Sequence, residues 1–195
     1  MYSLRKYIGM KISNEINQVP LIEVANDKRH NRAKGKPGNY YINFQDPKGE
    51  PKVNPLIVNN KEYMKIGWNQ YSKELGYGWF GDMAHVKYSY VDSANDVLKA
   101  SVIYDDWGRE KVFEFDLPNG KYKVTVSCGW AGRNYKRNKI SVEGVPIIKD
   151  EATNPYLIRT KEVEIKDNKL TMEMGIFDEY TMLDYLNIEA KSQGL

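Results

Sequence analysis

Two short stretches hold the residue types that a binding site needs. Tyr104-Asp105-Asp106-Trp107-Gly108-Arg109 sets an indole among a phenol, two acids and a guanidinium. Gly129-Trp130-Ala131-Gly132-Arg133-Asn134-Tyr135 surrounds Trp130 with Arg133 and Tyr135. Flat aromatic faces beside fixed hydrogen-bonding groups suit a ligand with apolar C–H faces and rings of hydroxyls, as sugars have. The aromatic ring stacks, and Asp, Asn or Arg bonds the hydroxyls in pairs. A structural role competes at each place: Trp107 and Trp130 fit a surface platform or a structural cap equally well. Asp105 and Asp106 offer oxygens to a hydroxyl or to a cation such as a structural calcium ion, but adjacent acids also simply form tight turns. Trp79, in Gly76-Tyr77-Gly78-Trp79-Phe80, reads as a core plug with Tyr77 and Phe80 for apolar company, and Trp68 fits either role.

Bond-breaking chemistry finds less support. Glycoside cleavage needs two carboxyls about 5–10 Å apart. Asp82, Asp105, Asp106, Asp178 and Glu179 are candidates, but no pairing follows from their spacing. There is no Gly-x-Ser-x-Gly elbow, no phosphate-cradling loop, and no nucleophile motif to pair with His30 or His85. Cys128 is the only cysteine, which excludes an internal disulfide and a thiolate zinc cluster. The chain therefore reads as non-catalytic, with no cofactor required beyond a structural calcium ion at most.

The elements that must position these residues are strands. In residues 112–128, Phe113, Phe115 and Leu117 alternate with acids, Pro118-Asn119-Gly120 interrupts, and Tyr122, Val124, Val126 and Cys128 then alternate with polar residues. Period two with a turn between predicts an antiparallel hairpin with one buried face, and Cys128 as a small core residue. Further strands are expected around Tyr40-Ile42-Phe44, Tyr88-Tyr90, Ile140–Val142, Val163–Ile165, Leu170–Met174 and Leu186–Ala190, with one helical turn over 93–100. Residues 53–80 are aromatic and irregular. Short, evenly spaced strands without helices of ordinary length predict an all-β antiparallel sandwich. It should occupy residues 39–195, with residues 1–38 as an arm containing an edge strand that begins at Pro20.

Composition narrows the partners. Of 195 residues 15 are Tyr and 4 are Trp, most of them sheet fillers. The net charge of +3 comes from interspersed charges, and the one basic cluster, Lys28 to Lys36, reads as a solvated loop, so nucleic acid is not an expected partner. No apolar run reaches the roughly 18 residues of a membrane span, so no membrane insertion is expected. The N-terminal stretch lacks the apolar region of a secretory signal. A protein working outside the cell would then have lost its signal, belong to a larger parent, or be released by lysis.

Several pieces occur together: Tyr41-Ile42-Asn43-Phe44, Gly76-Tyr77-Gly78-Trp79, Leu117-Pro118-Asn119-Gly120 followed by Val142-Glu143-Gly144, and Tyr185-Leu186-Asn187-Ile188-Glu189. Over residues 39–190 the chain resembles the galactose-binding-like β-sandwich. It is most similar to malectin-like modules and to the accessory domains of rhamnogalacturonan-acting esterases. The resemblance implies a jelly-roll sandwich, a hairpin at Leu117–Gly120, and a last strand beside the first. Relatives often carry Gly-Asp where this chain has Gly129-Trp130, which argues against an acid or calcium role there. The implied activity is non-catalytic binding of a polysaccharide or cell-surface glycan through Trp107, Trp130, Tyr104, Asp105, Asp106, Arg109, Arg133 and Tyr135. Two alternatives stand beside it: a structural or host-attachment subunit of a phage tail, baseplate or tail-like bacteriocin, assembling through residues 1–38, and a fragment of a polysaccharide-degrading enzyme. The expected location is correspondingly extracellular or in a tail particle.

Overall fold

The computed structural model describes residues 35–49, 56–91 and 96–191. The strand beginning at Pro20, the basic cluster up to Lys34 and most of the proposed arm lie outside the described residues. Fourteen strands and one helical turn follow in order: β1 (Tyr40–Phe44), β2 (Leu56–Val58), β3 (Lys61–Ile66), β4 (Tyr77–Gly81), β5 (Val86–Tyr90), α1 (Val97–Ala100), β6 (Ser101–Asp105), β7 (Lys111–Asp116), β8 (Gly120–Gly129), β9 (Lys139–Val142), β10 (Val145–Lys149), β11 (Tyr156–Ile165), β12 (Lys169–Met174), β13 (Thr181–Leu183) and β14 (Tyr185–Ala190). The predicted helical turn is present as α1, capped by Asp96, whose carboxylate accepts from the Leu98 N–H.

These strands form an all-β jelly-roll sandwich. A six-stranded sheet, β11-β8-β14-β1-β3-β2, faces a five-stranded sheet, β10-β9-β12-β7-β4, and a three-stranded sheet, β13-β6-β5, closes one end. The pairing is antiparallel except between β1 and β3. As expected, the last strand lies beside the first, with Tyr40 opposite Ile188 and Ile42 opposite Leu186. Inward rows from the two large sheets meet in one core. Phe44 of the six-stranded sheet packs edge-on against Trp79 and Phe113 of the five-stranded sheet, at ring separations of 5.7 and 5.3 Å. Cys128 is sealed in this core, where burial pushes its thiol pKa well up.

The central hairpin is not formed. Both of its strands exist with the predicted faces inward, but β7 pairs with β12 and β4, whereas β8 pairs with β11 and β14. Leu117–Asn119 is an arch that carries the chain from one sheet to the other. It lies against a second arch, Lys166–Asn168, where the Asn119 side chain accepts from the Asn168 N–H at 2.7 Å. Alternation reports which face is buried and not which strand lies alongside. True two-residue hairpins occur at Asn59-Asn60 and Glu143-Gly144, all four residues at positive φ. The first organises β2 and β3 within the stretch that reads as irregular.

Candidate functional site

The three-stranded sheet and three neighbouring loops build an aromatic rim at one end of the sandwich. Tyr104, on β6, lies opposite Lys87 of β5 and Met182 of β13. Its ring meets Trp130 edge-on at 5.4 Å and stacks with Tyr180 at 6.4 Å, and Tyr180 in turn contacts Tyr135 at 5.3 Å. Trp130 and Arg133 are the ends of a tight turn closed by the Arg133 N–H on the Trp130 carbonyl at 3.2 Å. That turn lays the guanidinium 5.6 Å from the centre of the indole ring. Thr153 pins Tyr135 from beneath by accepting its backbone N–H at 2.8 Å and donating its own to the Tyr135 carbonyl at 2.9 Å.

A second group sits beside the first. Trp107 is 51% exposed, stacks on His85 at 4.5 Å and 13°, and has the Arg109 guanidinium 5.6 Å from its ring centre. Arg109 pairs with Asp82. The loop from residue 106 to 110 is seated on the loop from 175 to 180: the Asp178 N–H donates to the Trp107 carbonyl at 3.1 Å. Gly108, at φ 61°, passes so close that a Cβ there would collide with the carbonyls of Ile176 and Glu179. Phe177, 76% exposed, tips the lower loop.

Between the groups lies the Lys87–Asp106 ion pair. The hydrogen bond from Lys87 holds the Asp106 carboxyl below the usual range and raises the Lys87 ammonium. The other oxygen of Asp106 is buried and has no hydrogen-bond partner among the described residues.

Of the eight expected residues, Tyr104, Trp130, Arg133 and Tyr135 come together in the first group, and Trp107 and Arg109 in the second, with Asp106 between. Asp105 departs from the expectation. It faces inward, is wholly buried and is bonded to Lys111 at 2.5 Å, so it supports the site from beneath and does not face a ligand. Phe80 also departs: it is exposed on the outer face and stacks with Tyr71, leaving Tyr77 with the core. Trp68 and Trp79 are both core residues. Tyr180 and Lys87 belong to the rim without a motif of their own in the sequence, and so does His85, which reads there only as a histidine with no nucleophile to serve. The available signal is the pair of aromatics Phe177 and Tyr180 flanking Asp178-Glu179 in a turn. Among the described residues no group of three His, Cys, Asp or Glu is arranged to hold a metal ion. No helix among them is long and apolar enough to cross a membrane.

A wider concavity of about 630 Å³ lies on the outer face of the six-stranded sheet, lined by Tyr63, Tyr185 and Asn187. Both tyrosines are buried there, and Lys61 at its edge is paired with Glu189 at 3.0 Å, so it presents no open ring.

No protein-family model and no curated protein matches the sequence. Solved structures do match in shape. Protein YXIM_BACsu from Bacillus subtilis aligns over 79% of this chain at TM-score 0.53 and 20% identity. The plant receptor-like kinase FER aligns over 80% at TM-score 0.57 and 11% identity. Bacteroides uniformis β-glucuronidase 2 aligns over 83% at TM-score 0.52 and 13% identity. This chain spans 40%, 42% and 18% of those three chains. At such identities the likeness establishes a shared β-sandwich fold.

Proposed function

We propose that this chain is a non-catalytic carbohydrate-binding module that takes a polysaccharide or cell-surface glycan along the rim. One observation carries the reading: Tyr180, Tyr104 and Trp130 form a chain of ring contacts with Tyr180 exposed and Arg133 over Trp130, and the exposed Trp107 is joined to it through the neighbouring Asp106–Lys87 pair. Rigid rings beside oriented polar groups are what a sugar's C–H face and hydroxyls require. The malectin-like resemblance of the sequence and the occurrence of this sandwich within a β-glucuronidase chain support the same class. Fold likeness alone does not assign function.

Charge pairing supports the absence of catalysis. Asp82, Asp105 and Asp106 are engaged by Arg109, Lys111 and Lys87. The hydrogen bond from Lys87 favours the ionised form of Asp106 and makes it a poor proton donor, and glycoside cleavage needs one carboxyl that keeps its proton. The module would act outside the producing cell, alone or within a larger protein. A glycan array followed by calorimetry on the folded chain tests the reading. A micromolar-to-millimolar ligand, about 4–8 kcal/mol, is expected. No binding by a folded sample across neutral and charged polysaccharides overturns it.

A further inference from the structure

Lys111 stands where the sheet pattern calls for an apolar residue. It continues the inward row of Phe113 and Phe115 on β7 and is as buried as they are. Asp105 likewise follows Ile103 on the inward row of β6. Both charges are fully removed from water. Such a pair is weak as a stabiliser, because desolvation cancels most of the attraction, and apolar residues of similar volume would serve the core as well or better. A local rule broken inside a core points to a role beyond stability.

The remaining bonds of the pair show where that role lies. One Asp105 carboxylate oxygen accepts from Lys111 Nζ at 2.5 Å, and the other accepts the Trp107 backbone N–H at 2.7 Å. Lys111 Nζ also donates to the Arg109 carbonyl at 3.1 Å. Every one of these bonds begins and ends within residues 105–111, the loop that carries Trp107 and Arg109. We infer that Asp105, held by Lys111, is a positioning residue that fixes the Trp107 loop in its ligand-facing form. The Trp107 ring lies between the His85 ring and the Arg109 guanidinium, and its backbone is held at the carbonyl by the Asp178 N–H and at the N–H by the Asp105 carboxylate. The inference rests on the rim being the glycan-binding surface, and it adds a buried pair that never meets the ligand.

Removing one partner alone would strand a buried charge and risk unfolding, so the test uses double variants of the full chain. In Asp105→Leu/Lys111→Met both charges and the loop acceptor are lost. In Asp105→Asn/Lys111→Met the charges are lost but an acceptor for the Trp107 N–H remains. Amide hydrogen exchange is read at Trp107 and at Phe113 and Val126 in the core strands. The Leu/Met variant should exchange at Trp107 at least about tenfold faster with unchanged core amides, and the Asn/Met variant should return Trp107 towards the native rate. For the array-selected glycan, the Leu/Met variant should bind about tenfold or more weakly. A Trp107 amide still protected in the Leu/Met variant overturns the assignment. So does a parallel loss of protection in the core, and so does an Asn/Met variant as exposed as the Leu/Met one. Failure of the native chain to bind any glycan overturns the functional reading instead, and leaves the exchange result standing.

Discussion

The four tryptophans divide between two regions, the seam where the sheets meet and the rim. At the seam Trp68 and Trp79 are 2% and 1% exposed and pack 4.6 Å apart. Each indole N–H there donates to a backbone carbonyl, of Lys87 at 3.0 Å and of Gly67 at 2.9 Å. At the rim the ring neighbours are charged or polar: His85 and Arg109 beside Trp107, Tyr104 and Arg133 beside Trp130. The seam converts aromatic area into stability by burial, with the N–H satisfied so that burial carries no polar penalty. At the rim Trp107 is left 51% exposed and Trp130 is half-buried against the edge of the core. The same residue type is thus sealed or left partly open to solvent according to what surrounds it.

The sharpest way to break this comparison is to truncate one ring from each region. Trp79→Ala should cost about 3–5 kcal/mol in urea denaturation, as for large aromatic truncations in cores. A loss under about 1 kcal/mol would remove the seam as the seat of stability. Trp107→Ala and Trp130→Ala should each weaken glycan binding about tenfold or more, measured by calorimetry. Stability should change by less than about 1 kcal/mol for the exposed Trp107 and by about 1–2 kcal/mol for Trp130, which is half-buried against the core. Either variant unfolding would make its ring a structural cap.

Buried polarity sharpens the contrast. Asp184 is wholly buried; one carboxyl oxygen accepts from Ser127 Oγ at 2.8 Å and the other has no partner among the described residues. Burial pushes its pKa well above 3.8, against smaller opposing effects of the Ser127 hydrogen bond and Lys99, while Asp96 pushes it further up. A carboxyl raised in the folded state keeps its proton there. Its contribution to stability is full below the unfolded pKa and is lost as the pH rises through the folded one. Asp184→Asn should therefore gain on the native protein in thermal melts as the pH rises from about 4 to about 8. A constant difference across that range would refute the assignment. The smallest effect is expected at the half-exposed Lys61–Glu189 pair. Glu189→Gln should cost about 0.5 kcal/mol or less, fading in high salt, and a larger loss in denaturant titration would give that face a structural weight it lacks here.

Much of this was legible in the residues. Phe113, Phe115, Val124 and Val126 alternate because each strand has one wet and one dry face, so their burial follows from spacing alone. Trp107 and Trp130 announced themselves by standing among Gly, Arg and Asp, where loops are expected. Asp105 reads as a turn acid because it stands beside another acid, and its partner Lys111 is visible only once β6 and β7, in different sheets, bring their inward rows together. His85 and Tyr180 carry no motif of their own for a related reason: each gains its role through a ring from another part of the chain, Trp107 and Tyr104.

Local chemistry, then, determined strands β1, β5, β7, β8, β9, β12 and β14, the core of β11 and a helical turn near residues 93–100, since each depends on residues a few places apart. Strands β2, β3, β4, β6, β10 and β13 appeared only in the folded chain. Which strands became neighbours was decided by the tertiary structure alone. The Leu117–Asn119 connection reads as a hairpin, yet it crosses between sheets because β7 finds its partners in β12 and β4. The rim belongs to the same class of fact. Its rings come from β6 and from loops far apart in sequence, and only the closing of the sandwich brings Tyr104, Trp130 and Tyr180 into contact.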